Sequence, residues 1–235
     1  MPCEVPNIFA SQPNSMKFIA SLFVLFLASC GTTGNSEQQH QLLASAEPIQ
    51  VPVQDGMERA YFASGCFWCV EKIYESVEGV SEAISGYSGG HTENPTYEDS
   101  NTGRTGHAEA NEIVYDPSKV SFADLVDVYF ASQNIEQVNG QGPDNGNQYR
   151  SIIFYQNADQ KAIIDRKITA LTEEGYDVAA EVMPFQKFWR GEEYHQDYGK
   201  KHPNQRYILG VSNPRFKKFA AKRPDLLKPQ YRNKM

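Results

Sequence analysis

Cys66 and Cys69, three residues apart in Gly65-Cys66-Phe67-Trp68-Cys69, are the residues of this chain best suited to covalent chemistry. The short, mostly apolar run Arg59-Ala60-Tyr61-Phe62-Ala63 before them reads as a buried strand, and Ser64-Gly65 as a turn. Val70, Ile73, Tyr74 and Val77 fall at i, i+3, i+4 and i+7, so a helix follows, stopped near Gly79. Cys66 is therefore expected at a helix start, where unpaired backbone N–H groups and the dipole favour an anion. Thiolate is the nucleophilic form of cysteine, so this placement predicts a lowered pKa and an activated Cys66. Cys69 lies on the same helical face and can approach Cys66 if the first turn adjusts.

Three other uses of such a pair stand beside nucleophilic catalysis. A Cys2His2 zinc site would have to recruit His195 and His202, whose spacing follows no finger pattern. A thioredoxin-like dithiol carries C-x-x-C at a strand–helix junction of this kind. Phe67 and Trp68 between the cysteines suit the lining of an apolar pocket for a small group, such as a methyl, better than the display of a disulfide to large partners. A purely structural buried pair is the last. Taken singly, the other polar candidates say less. Glu109 alone reads as a solvated strand residue, Tyr97 and Tyr149 as half-buried tyrosines, and His195 as a surface histidine. Asp144, in Pro143-Asp144-Asn145-Gly146, reads as turn chemistry.

The elements that must position these residues follow from periodicity. Val80 to Tyr87 reads as a second strand, ended by Ser88-Gly89-Gly90, and 91–106 as a long polar surface loop. His107 to Tyr115 reads as a third strand, closed by Asp116-Pro117. Ser121 with Asp124 resembles a capping box, with Phe122, Leu125, Val126, Tyr129 and Phe130 as the apolar face behind it. A strand is predicted over Arg150 to Tyr155, a helix from Asn157 to Gly175, and a last strand from Val178 to Met183. Beyond Pro184 the chain is aromatic and basic with little periodicity, and is predicted as mostly coil. The sum is an α+β fold: a two-layer α/β sandwich around a mixed, mainly antiparallel sheet with a long C-terminal tail.

Composition narrows the partners. Of 235 residues, 22 are Lys or Arg and 29 Asp or Glu, a net charge of −7 that argues against nucleic acid. Aromatics at 12% exclude disorder for the body. The remaining cysteines, Cys3 and Cys30, lie in a leader. Lys17 precedes an apolar run from Phe18 to Ala28, too short to span a bilayer comfortably and of signal-peptide size. Leu27-Ala28-Ser29-Cys30 resembles the bacterial lipobox, in which the cysteine is lipidated and becomes the mature N-terminus. The expected organisation is a lipoprotein signal peptide over 1–30, with Met16 the better start, a flexible Ser-, Thr-, Gln- and Asn-containing tether over 31–55, and a catalytic domain over 56–235. Such a protein is exported and anchored to a membrane through acyl chains at Cys30, with its domain in the periplasm or at the cell surface.

Six blocks, in order, resemble the A-type peptide methionine sulfoxide reductases. They are Gly65-Cys66-Phe67-Trp68; Gly86-Tyr87-Ser88-Gly89-Gly90; Asn94-Pro95-Thr96-Tyr97; Gly106-His107-Ala108-Glu109; Gln141-Gly142-Pro143-Asp144 with Gln148-Tyr149-Arg150-Ser151; and Glu193-Tyr194-His195-Gln196. The resemblance implies a ferredoxin-like core and a role for each matching position. Cys66 would attack the sulfoxide sulfur, Phe67 and Trp68 would wall the methyl pocket, and Glu109 would protonate the oxygen. Tyr97 and Tyr149 would hold that oxygen and a water, with Asp144 nearby. An acid facing the nucleophile is what the chemistry needs, and desolvation among aromatics would keep it protonated near neutral pH. Cys66 would then become a sulfenic acid, and Cys69, the one other thiol of the domain, would resolve it to a disulfide. The resemblance implies no cofactor and no metal, with electrons from a thioredoxin-like donor. The family often carries His-Asp-Pro where this chain has Asn134-Ile135-Glu136, which leaves that loop unspecified. The alternative is a dithiol–disulfide oxidoreductase acting on protein disulfides.

Overall fold

The computed structural model describes residues 33–232, and the signal segment with Cys30 lies outside them. Helix α1 (Thr33–Ala44) is the first described element, followed by β1 (Glu58–Ala63), α2 (Phe67–Glu75) and β2 (Val80–Ser88). A short helix α3 (Tyr97–Asn101) interrupts the stretch read as one long loop. Then come β3 (Ala108–Tyr115), α4 (Phe122–Ala131), the two-residue strands β4 (Gly140–Gln141) and β5 (Asp144–Asn145), and β6 (Ile152–Tyr155). Helix α5 (Ala158–Glu173), β7 (Glu181–Pro184) and β8 (Phe188–Arg190) lead into a helical C-terminal part.

Strand order in the main sheet is β7-β6-β1-β3-β2-β8, antiparallel throughout except for β6 with β7. Taken alone, β1-α2-β2-β3-α4-β6 is a βαββαβ unit with strands ordered fourth-first-third-second, the ferredoxin-like arrangement. Side-chain alternation decides which face each residue serves. Ala60, Phe62, Ile113, Tyr115 and Ile153 pack under α2, α4 and α5, while Tyr61, Ala63, Ala108, Ala110, Ile152 and Phe154 form a second cluster on the opposite face. The capping box at Ser121 and Asp124 starts α4, and Asn157 caps α5 through the Gln160 N–H.

Two segments differ from the sequence reading. The stretch taken as a flexible tether carries α1, and the chain after it is tied to the domain. Ile49 N donates to Phe185 O (2.8 Å), Val51 N to the Gln156 side chain (2.8 Å), and Gln186 Nε2 to Glu47 O (2.7 Å). These partners lie more than a hundred residues away, so no local pattern announces them. The tail taken as mostly coil holds helices α6 (Tyr198–Lys201), α7 (Asn213–Lys222) and α8 (Pro229–Arg232), and a π-helical turn over Ile208–Ser212 runs into α7. Pro214 at the start of α7 suits a first helical turn, and Phe219 and Ala220 are buried in the main core. Breaks at the π turn and at Arg223 keep each run too short for periodicity to register.

Candidate active site

Register places the acid beside the nucleophile. Phe62 of β1 pairs with Asn111 of β3, and continuing that antiparallel register by two residues sets Ser64 opposite Glu109. Glu109 and Asn111 share the face of β3 on which α2 lies, and both reach its first turn. Phe67 N donates to Glu109 Oε2 (2.9 Å), and Asn111 Nδ2 donates to Phe67 O (3.3 Å). Cys66 is the N-cap residue of α2, with φ −55° and ψ 124°, so its side chain leaves at the strand–helix junction. Gly65 makes that turn possible. Its φ is +68°, and a Cβ there would stand 2.5 Å from Gln141 Cβ. Gly65 N also donates to Tyr149 O (3.1 Å), which fixes the Tyr149 segment against the turn.

The expected site residues do gather here. Cys66, Phe67, Cys69 and Tyr87 form one buried cluster, against which Trp68, Tyr97 and Tyr207 pack. Phe67 is turned inward, its ring 6.0 Å from Tyr87 and 4.7 Å from His195. Trp68 stacks on Tyr198 at 3.8 Å and presents an edge-on contact to Tyr207 at 6.1 Å. Tyr97 starts α3, and its N–H donates to Glu192 Oε1 (2.8 Å). Tyr149 ends a 3-10 turn over Asn147–Tyr149; next to it Arg150 donates to Asn147 O (2.9 Å) and Gly106 O (3.0 Å). Glu109 lies near enough to raise the pKa of both Tyr97 and Tyr149, after burial, which is the larger cause. Asp144 on β5 accepts a hydrogen bond from the Tyr207 hydroxyl.

Three residues escape the sequence reading. Tyr207, in an aperiodic segment, joins Asp144 and stands 3.8 Å from Cys69 Sγ. Glu192 accepts from the Tyr87 hydroxyl (2.8 Å) as well as from Tyr97 N, so it fixes the tyrosine over the site. His195 is the correction: it is 1% exposed, not a surface histidine. Its Nδ1 accepts from Trp68 Nε1 (3.2 Å), and its ring lies 4.7 Å from those of Phe67 and Tyr97. It is packing support for the aromatic wall, with its pKa lowered by burial. Among the described residues, no three His, Cys, Asp or Glu side chains group as a metal ion would need.

Electrostatics divide the cysteines against the sequence expectation. Glu109 is 2% exposed, and desolvation lifts its pKa to about 8, so it is a neutral acid at pH 7. Cys66 is not the low-pKa thiol expected of a helix start. Burial raises it, the neighbouring Cys69 raises it further, and Glu109 adds to both. Burial is the first cause, and the Trp68 N–H is the one opposing influence; the neighbouring Phe67 N–H is taken by Glu109. Cys69 is the more acidic of the pair, held at about 6. The hydrogen bond with Cys66 is the largest cause, and burial opposes it. Arg215 and the hydroxyls of Tyr207 and Ser212 then favour the anion. A π turn aligns residues five apart, and Tyr207 and Ser212 are five apart.

Comparison with known proteins agrees with this geometry. Residues 58–226 match the family model described as peptide methionine sulfoxide reductase. A peptide methionine sulfoxide reductase MsrA of Nautilia profundicola is 44% identical over 163 residues, covering 69% of this chain and 94% of that protein. One from Polynucleobacter asymbioticus is 41% identical over 178 residues, covering 74% and 94%. Among solved structures, methionine sulfoxide reductase A of Corynebacterium diphtheriae aligns with a TM-score of 0.58 at 32% identity, covering 70% of this chain and 85% of that one. Reduced Mxr1 of Saccharomyces cerevisiae aligns at 0.59 and 29%, covering 67% and 91%.

Proposed function

Because the chain belongs to the peptide methionine sulfoxide reductase family, we propose that it returns methionine-S-sulfoxide, free or in proteins, to methionine with Cys66 as the oxygen acceptor. The observation that carries this reading is the buried carboxyl of Glu109, protonated up to about pH 8 and fixed to the first turn of the helix that Cys66 caps.

Cys66 sulfur attacks the sulfoxide sulfur while Glu109 donates its proton to the oxygen. The oxygen passes to Cys66, giving a sulfenic acid and a methionine thioether, and the thiol proton of Cys66 restores Glu109. Phe67 and Trp68 exclude water around the substrate methyl, and Tyr97 and Tyr149 hydrogen-bond the oxygen, with Asp144 nearby and itself engaged by Tyr207. Cys69 then attacks the sulfenic sulfur, releasing water and leaving a Cys66–Cys69 disulfide, which a thioredoxin-like dithiol reduces. No cofactor is called for: the chemistry is carried by sulfur, oxygen and protons. A dithiol–disulfide oxidoreductase would have no task for a neutral acid beside Cys66, and that alternative is not favoured.

With dithiothreitol as reductant and dabsyl-methionine sulfoxide supplied one epimer at a time, the S form is expected to be reduced and the R form left. If neither epimer is consumed, the reading fails.

The run Leu27-Ala28-Ser29-Cys30 supports export, with lipidation at Cys30 and attachment to a bacterial membrane. Mass spectrometry of protein extracted from membranes is expected to find Cys30 acylated at the mature N-terminus. An unmodified N-terminus at another residue would refute the anchor.

A further inference from the structure

Cys66 bears electrostatically on Tyr97 and Tyr149 and feels Glu109, whereas Cys69 borders a cavity of about 670 Å³ whose lining includes none of those four residues. Asp144 and Tyr207, hydrogen-bonded to each other, line this cavity, and Asp144 also bears electrostatically on Tyr97 and Tyr149. The volume is that of a pocket for one small organic molecule, which typically measures roughly 300–1,000 Å³.

The lining has a definite charge. Arg215, Lys218 and Lys222 contribute three cations, against the single carboxylate of Asp144, which Tyr207 already engages. Arg215 is fixed: it donates to Ser64 O, Ser64 Oγ and Ser132 O, each at 2.8 Å. Lys218 and Lys222 are exposed on α7, four residues apart and so on one face. Cys69, in contrast, is 1% exposed. A thiol carried on a small molecule can reach a sulfur at that depth through the cavity that Cys69 lines.

We propose that this cavity binds a low-molecular-weight thiol bearing carboxylates, which reduces the Cys66–Cys69 disulfide by attacking the Cys69 sulfur. The inference rests on the pair being the redox couple of the proposed function. In the first step the S–S bond breaks as an S–S bond forms between the small thiol and Cys69, and the incoming proton ends on Cys66. Cys66 favours its neutral form, so it returns ready for the next sulfoxide. A second small thiol attacks the mixed disulfide, leaving as the oxidised small disulfide and restoring Cys69. Two electrons enter per cycle, one from each small thiol.

The test uses the full chain and no sulfoxide. The protein is oxidised with diamide, freed of the reagent, then mixed with reduced glutathione, mercaptoethanol or cysteamine, and rates are expressed per thiolate. Glutathione is expected to exceed cysteamine about ten-fold, the lower range of electrostatic steering into a charged cleft, and the advantage should shrink in high salt. Lys218→Glu combined with Lys222→Glu should reverse that order, each rate being taken relative to mercaptoethanol on the same protein. Acid-quenched samples should carry glutathione on Cys69. The same order of rates in both proteins, or glutathione on Cys66, overturns the cavity assignment while leaving the redox pair intact. If oxidation yields no Cys66–Cys69 disulfide, the redox-pair reading itself fails, and the inference with it.

Discussion

Glu109→Gln is expected to lower kcat/KM for methionine-S-sulfoxide by about 10²–10⁴-fold, the usual range for a lost general acid. The fold should not notice, because an amide oxygen at the same place can still accept from Phe67 N. What is lost is the proton. Glu109 titrates at about 8, so the donor form is present below that pH and disappears as pH rises through it. Wild-type sulfoxide reduction is therefore expected to fall on the alkaline side of pH 8, and the variant should lack that limb. Alkylation of Cys66 should move the other way. The Glu109 carboxylate is one cause of the raised Cys66 pKa, so removing it should speed iodoacetamide capture at pH 8.5 and above. Opposite movement of the two rates separates loss of an acid from general damage. Wild-type sulfoxide reduction in this variant would end the assignment.

How much of this site could be read from the sequence depends on how far apart its partners lie. The strand–turn–helix around Cys66 is local: a short apolar run, Ser64-Gly65, and a 3.6-residue period, all within twenty residues. It carried the right placement for Cys66. Glu109 was legible only through the resemblance of its motif to a family; alone it reads as a solvated strand residue, whereas the pairing of β3 with β1 buries it under the start of α2. The Cys66 direction was not legible, since the helix-start argument counts free N–H groups and cannot see how deeply the packed chain buries the thiol, nor that Cys69 and a carboxylate from β3 lie beside it. Tyr207, Glu192 and Arg215 were missed for a related reason. Each acts from the region beyond Pro184, where turns of 3-10, α and π type follow one another too quickly for any single period to show. Arg215 reaches back 151 residues to Ser64, and Glu192 reaches 105 to Tyr87. Such contacts are properties of the packed chain.

The division of labour between the cysteines makes Cys69→Ser the sharper test of the cycle. The variant should reduce one sulfoxide per protein and then stop when the reductant is a thioredoxin-like dithiol, because among the described residues the Cys66 sulfenic acid has no other thiol to condense with. Steady-state turnover should drop at least about a hundred-fold, equivalent to about 2.7 kcal/mol of barrier, while the amplitude of the first turnover is kept. The stalled protein should be trapped by dimedone on Cys66. In the wild-type protein the second step should depend on pH through Cys69, not Cys66. In the reduced pair the Cys69 pKa is lowered, first by its bond with Cys66 and then by Arg215, and the influence of Arg215 outlasts oxidation of Cys66, so disulfide formation should slow as pH falls through the Cys69 midpoint. The anion is favoured by its bond with Cys66 first, then by Arg215 and the Tyr207 and Ser212 hydroxyls, against the cost of burial. Undiminished turnover of the Cys69→Ser protein with thioredoxin would mean that the sulfenic acid is reduced directly, and that the acidic thiol at the third position of α2 serves some other end.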